Sequence, residues 1–131
     1  MRELARRMAF LFFAGALAGA ITSLGWWLLG AAGVLAQWGV ALAPELTLEW
    51  LESHLVTGGL WGLLLLPFLG DTANRLLGLG AGVGLLPACH VVMVQWSRPT
   101  EPGALAPVLV LAFCVVWGLA TAGLVLALRE T

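Results

Sequence analysis

Charge is what this chain has least of. Only 10% of its 131 residues are Asp, Glu, Lys or Arg, and 61% are hydrophobic, whereas a soluble domain carries about 25% charged residues. The mean hydropathy is +1.00. That composition excludes a water-soluble globular domain and predicts an integral membrane protein. Lysine is absent, and the six cations are arginines scattered through a chain of net charge −1. No basic face exists on which nucleic-acid phosphates could be neutralised, so a nucleic-acid partner is excluded. Cysteine is nearly absent as well. Cys89 and Cys114 both lie inside apolar runs, so a disulfide would require two helices to juxtapose them, and two packed thiols are expected instead.

Catalytic signatures are missing too. The sequence has no H-E-x-x-H, no G-x-S-x-G, no phosphate-cradling loop and no pair of aspartates within an apolar run, so neither enzyme activity nor a resident cofactor or metal is expected. What is there is hydrophobic length. Four runs, 8–30, 48–70, 76–96 and 105–128, approach the roughly 20 residues that span a bilayer. They predict an all-α protein, a single membrane domain over 1–131 built as a four-transmembrane-helix bundle. The basic start M-R-E-L-A-R-R resembles the opening of a secretory signal. The apolar run behind it is about 23 residues, longer than a signal's core of about 7–15, so it reads as a retained first helix. This first run carries no charge, its most polar members being Thr22 and Ser23, and so lacks the carboxylate on which small multidrug transporters of similar size rely.

Between the first two runs lies A-A-G-V-L-A-Q-W-G-V-A-L-A-P-E-L. Extending helix one through it would give about 36 residues and roughly 54 Å, beyond a hydrocarbon core of about 30 Å, so the chain must turn. Gly30 and Gly33 are the expected breakers, with Gln37 and Trp38 suited to a short interfacial helix. Pro44 is expected in the first turn of helix two with Glu45 beside it. Arg2, Arg6, Arg7, Arg75 and Arg129 fall on one side of the spans and only Arg98 on the other. The excess predicts that both termini are cytoplasmic, in a bacterial inner membrane, with Glu45, Glu49 and Glu52 outside as a solvated N-terminal stripe.

Glycine is abundant, and its spacing is informative. Gly15/Gly19, Gly58/Gly62, Gly78/Gly82 and Gly80/Gly84 are G-x-x-x-G pairs, with Gly118/Ala122 as the small-residue equivalent. In lipid such faces let backbones approach closely, so each span is given a packing groove, and self-association or assembly into a larger membrane complex is one use of it. T-G-G-L-W-G-L in helix two and V-V-W-G-L-A-T in helix four both centre on W-G-L. Convergence of abundant residue types is the leading explanation. Duplication is the alternative, and it would make the two hairpins a parallel repeat.

Two histidines carry the remaining chemistry. At 100° per residue, His54 projects with Gly58, Trp61 and Leu65, within about 40° of one another, so it is expected to be buried against another helix. His90 lies in the same leaflet, three residues after Pro87, whose missing N–H predicts a kink. Three readings of the pair stand. The leading one is interhelical hydrogen bonding near a wet interface. The second is an ion- or proton-linked transporter or channel site made by His54, His90, Glu52 and Trp61. The third is haem or metal ligation by the two imidazoles.

The stretches H-L-V-T-G-G-L-W-G-L-L-L-L-P-F-L, R-L-L-G-L-G-A-G-V-G-L-L-P and A-P-V-L-V-L-A-F-C-V-V-W-G-L-A-T-A-G together resemble a group of uncharacterised small four-helix bacterial inner-membrane proteins. In that group a His-x-x-x-Gly helix start is followed by a basic residue opening a glycine-rich third helix. The resemblance covers residues 54–124 and implies the fold and topology above, with no mechanism; the step Cys89-His90 departs from it. The functional expectation is a small membrane binding or accessory protein with lipid around it, with transport as its runner-up.

Overall fold

A computed structural model of the chain describes residues 1–99 and 101–129. Among these the regular elements are all helical: α1 (Arg2–Ala31), α2 (Val34–Gln37), α3 (Leu48–Gly62) continuing as a 3-10 segment (Leu63–Phe68), α4 (Ala73–Trp96) and α5 (Ala106–Arg129). Four of them are long and apolar enough to cross a membrane: α1, α3 with its 3-10 extension, α4 and α5. At about 1.5 Å per residue the 30 residues of α1 outreach an apolar core of about 30 Å, and the surplus is its arginine-bearing first turns.

The turn after α1 is made by Gly33 alone. Its φ of +77° lies in the left-handed region and starts α2, whereas Gly30 stays inside α1. The expected interfacial helix shrinks to the four residues of α2, because Leu35 is drawn inward to pack with Val40 and Ala106. The chain then runs without helix to Thr47. It is fastened by Ala41 N–H donating to the Pro102 carbonyl at 3.0 Å and by the Trp26 indole donating to the Leu42 carbonyl at 2.9 Å. Pro44 and Glu45 therefore do not open helix two. Thr47 does: its Oγ1 accepts from Trp50 N–H at 3.1 Å, satisfying one orphan donor of the first turn, and Glu49 is the acidic residue of that turn.

α1 packs against α3 and α5, and α4 against α5 and against the 3-10 segment that precedes it. The seams are glycine seams. A Cβ on Gly15 would overlap the Gly58 carbonyl oxygen and sit 3.1 Å from Gly62 Cα, and one on Gly19 would lie 2.8 Å from the His54 carbonyl oxygen. In the other pair a Cβ on Gly80 would sit 2.5 Å from the Gly118 carbonyl oxygen, and one on Gly84 would overlap the Cys114 carbonyl oxygen. Gly78 and Gly82 do not pack: nothing lies within 4 Å of a Cβ at either. Two residues along a helix turn the side chain by about 200°, and it is the Gly80/Gly84 face that meets α5. Leu11, Ala14, Leu65, Leu76, Ala122 and Val125 form a dry core in the half of the structure nearer the termini.

Candidate functional site

In the other half, α3 and α4 leave a cleft of about 670 Å³ between them. Its floor is Gly19 and Ser23 of α1 with Trp117 of α5, and its walls carry His54 and Trp61 on one side and His90 and Gln95 on the other, with Arg98 at the end of the α4 wall. The floor is tied together by hydrogen bonds. Trp117, buried in the middle of α5, donates its indole N–H to the Gly15 carbonyl at 3.0 Å, and Thr121 donates to the Trp117 carbonyl at 2.9 Å. The indole thus ties α5 to α1 at the level where Gly15 meets Gly58 and Gly62. A tryptophan at mid-span must place its N–H somewhere, and that was the available signal in the sequence for this tie.

The structure places the predicted residues unevenly. His54 is not buried against a neighbouring helix. It is exposed in the cleft, its Nδ1 lies 2.7 Å from the Trp50 carbonyl of its own α3, and its ring tilts over the Trp50 ring at a centroid distance of 4.5 Å. His54 stands on the expected stripe but meets it through its backbone: its carbonyl abuts Gly19, while the ring lines the open cleft. His90 is also exposed and lines the same cleft. No interhelical hydrogen bond is made by either ring among the described residues, so the leading reading of the pair gives way to a shared cavity. Trp61 lines the cleft; Glu52 is exposed and outside it. Pro87 lines it as well, and α4 runs through this proline as one helix.

The two cysteines are free thiols, Cys114 half-buried at the cleft and Cys89 exposed rather than packed. No group of three or more His, Cys, Asp or Glu side chains is positioned to hold a metal ion among the described residues, so nothing adds ligands to the two imidazoles. The polar groups are graded along the cleft. Gln95 and Arg98 lie toward the end of α4, and the glycine- and tryptophan-lined end lies deep. Arg98 forms no ion pair among the described residues, where the ion pairs join Arg6 and Arg7 to Glu3 and Arg75 to Asp71.

No family model matches the chain, and no curated protein and no solved structure matches it. The residues of this chain alone point to a function.

Proposed function

We propose that this chain is an integral membrane binding protein of the bacterial inner membrane, a four-transmembrane bundle with both termini cytoplasmic, which holds an amphiphile in the cleft between α3 and α4. The observation that carries the reading is the shared cavity: His54, His90 and Arg98 line one space of about 670 Å³ and spend no side-chain bond on another helix. Intramembrane ionisable groups are expensive and default to functional candidates. Arg98 and Gln95 suit a negatively charged or hydrogen-bonding head, and the faces of Trp61 and Trp117 suit an apolar body. Arg6 of α1 and Arg129 of α5 line one pocket at the opposite end, which supports a common side for the two termini, and five arginines against one support the cytoplasm as that side.

Transport is the second reading and draws on the same histidines. It needs access from both faces, and in the half nearer the termini the space is filled by Leu11, Leu65, Leu76 and Val125. Closure of that half favours binding over transport.

The test is retention of a ligand. The full chain is purified in mild detergent, and co-purifying amphiphiles are identified by mass spectrometry beside Thr57→Trp, which fills the cleft, and Val116→Trp, an exposed position on α5 outside it. The expected result is a stoichiometric amphiphile in the wild type and in Val116→Trp that Thr57→Trp loses. Equal retention in all three overturns the reading.

A further inference from the structure

The end opposite the cleft carries a separate pocket of about 470 Å³. Arg6, Arg7 and Phe10 of α1, Leu69 after the 3-10 segment, and Leu128 and Arg129 of α5 line it. Three guanidiniums from the two ends of the sequence therefore face one space over an apolar floor. Their bonds leave donors to spare. Arg6 and Arg7 share a single carboxylate, Glu3, at 3.0 and 2.9 Å, so among the described residues the trio keeps an excess positive charge. Arg129 is aimed by its Nη1, which donates to the Leu69 carbonyl at 3.3 Å and the Asp71 carbonyl at 3.0 Å. A guanidinium has five N–H donors in a planar fork that matches phosphate oxygens, and most of those on the three arginines are not engaged in these bonds.

We propose that this pocket binds the phosphate of an anionic phospholipid, with acyl chains running down Phe10, Leu69 and Leu128. The arginines supply charge-assisted hydrogen bonds to the phosphate. The apolar floor has no use for a free inorganic ion and suits the glycerol and first methylenes of a lipid. A zwitterionic headgroup would set its ammonium among arginines, so a lipid of net negative charge is selected. Basic pockets between spans at the cytoplasmic side bind anionic headgroups by the same physics. The site is independent of the cleft and of what the cleft holds.

Native mass spectrometry of the full chain in detergent tests this, with phosphatidylglycerol and phosphatidylcholine titrated separately. Phosphatidylglycerol is expected to bind more tightly. Loss of each pocket arginine should weaken it about fivefold, and the double change Arg6→Gln with Arg7→Gln on the order of 30-fold. Glu3→Gln, which releases both arginines, should tighten it. Arg2→Gln removes the same charge from the same helix outside the pocket and should leave binding unchanged. Arg129→Gln also breaks the bonds to Leu69 and Asp71; if it unfolds the chain, the Arg6/Arg7 pair decides, because among the described residues those side chains are bonded only to Glu3. Equal weakening by Arg2→Gln shows a diffuse surface charge and overturns the site. Equal binding of the two lipids overturns it as well, and displacement of phosphatidylglycerol by millimolar inorganic phosphate would make it a free-anion site rather than a lipid site.

Discussion

Four glycines at alternate positions of α4 should respond to alanine with opposite signs. A Cβ at Gly78 or Gly82 meets nothing within 4 Å, whereas one at Gly84 would overlap the Cys114 carbonyl oxygen and lie 2.8 Å from its carbon, and one at Gly80 would lie 2.5 Å from the Gly118 carbonyl oxygen. At the open positions only the backbone term acts, and alanine gains up to about 1 kcal/mol in helix propensity, less where the denatured state stays helical. At the closed positions the obstacle is mostly backbone, which has no rotamer to yield. To recover an ordinary contact of about 3.5 Å α4 and α5 must separate, and every neighbouring contact in the seam loosens with them. Overpacking of this kind costs about 1–3 kcal/mol. Gly82→Ala and Gly84→Ala, two residues apart on opposite faces of α4, should thus differ by roughly 1–4 kcal/mol, or on the order of 10 °C on the scaling of small domains. Thermal unfolding in a single detergent, read by circular dichroism and by aggregation onset, measures both. Equal shifts, or a Gly84→Ala protein as stable as Gly82→Ala, would refute the close approach of α4 and α5.

Trp117→Phe removes the donor to Gly15 and should lower stability by about 0.6–1.7 kcal/mol, while Trp61→Phe, whose indole has no hydrogen-bond partner among the described residues, should change it by less than the error of a detergent melt. Thr47→Ala should cost about 1 kcal/mol, seen as faster amide exchange confined to the first turn of α3. Reporter fusions following Arg129 and inserted beside Glu101 should give opposite topology signals; a cytoplasmic signal at Glu101 would refute the orientation.

Hydrophobic length was the most legible feature of the sequence. The runs 8–30, 48–70, 76–96 and 105–128 fall within a few residues of the helices except at the extended arginine-bearing start of α1, because nothing but apolar length decides where such a helix exists. Glycine spacing was legible as a tendency and ambiguous in phase. The sequence offers Gly78/Gly82 and Gly80/Gly84 on opposite faces of one helix, and only the position of α5 selects between them. The strap before α3 was illegible for a different reason. Pro44 and Glu45 make an acceptable helix start by local rules, but the strap is held by tertiary bonds, from Trp26 to Leu42 and from Ala41 to Pro102, and Thr47 supplies the cap three residues later. His54 shows the limit of face arguments. The stripe through Gly58 was right, yet a glycine seam this tight admits backbone only, so a large ring on the stripe has to leave it.

Matching the two W-G-L stretches sets Trp61 against Trp117, Gly62 against Gly118, Gly58 against Cys114 and His54 against Val110. The contacts obey that match. Gly62 meets Gly15, Gly118 meets Gly80, and the second small-residue level pairs Gly58 with Gly15 and Gly19 in one hairpin and Cys114 with Gly84 in the other. Both seams bring small residues one turn apart into close backbone approach, the register that duplication of a glycine-packed hairpin would leave and that G-x-x-x-G spacing gives by itself. The match breaks where the cleft begins. Trp117 spends its indole on Gly15, and Val110 is buried; Trp61 and His54, their counterparts, face the open space. α5 packs against α1, with Trp117 tied to Gly15, and α4 meets the second span mainly at the 3-10 segment, so all four positions line the cleft but Val110 and Trp117 are buried there while Trp61 and His54 are more open. A polar ring is tolerated at 54 and not at 110 for that reason. The cleft opens between α3 and α4, where among the described residues no glycine seam brings the two helices together.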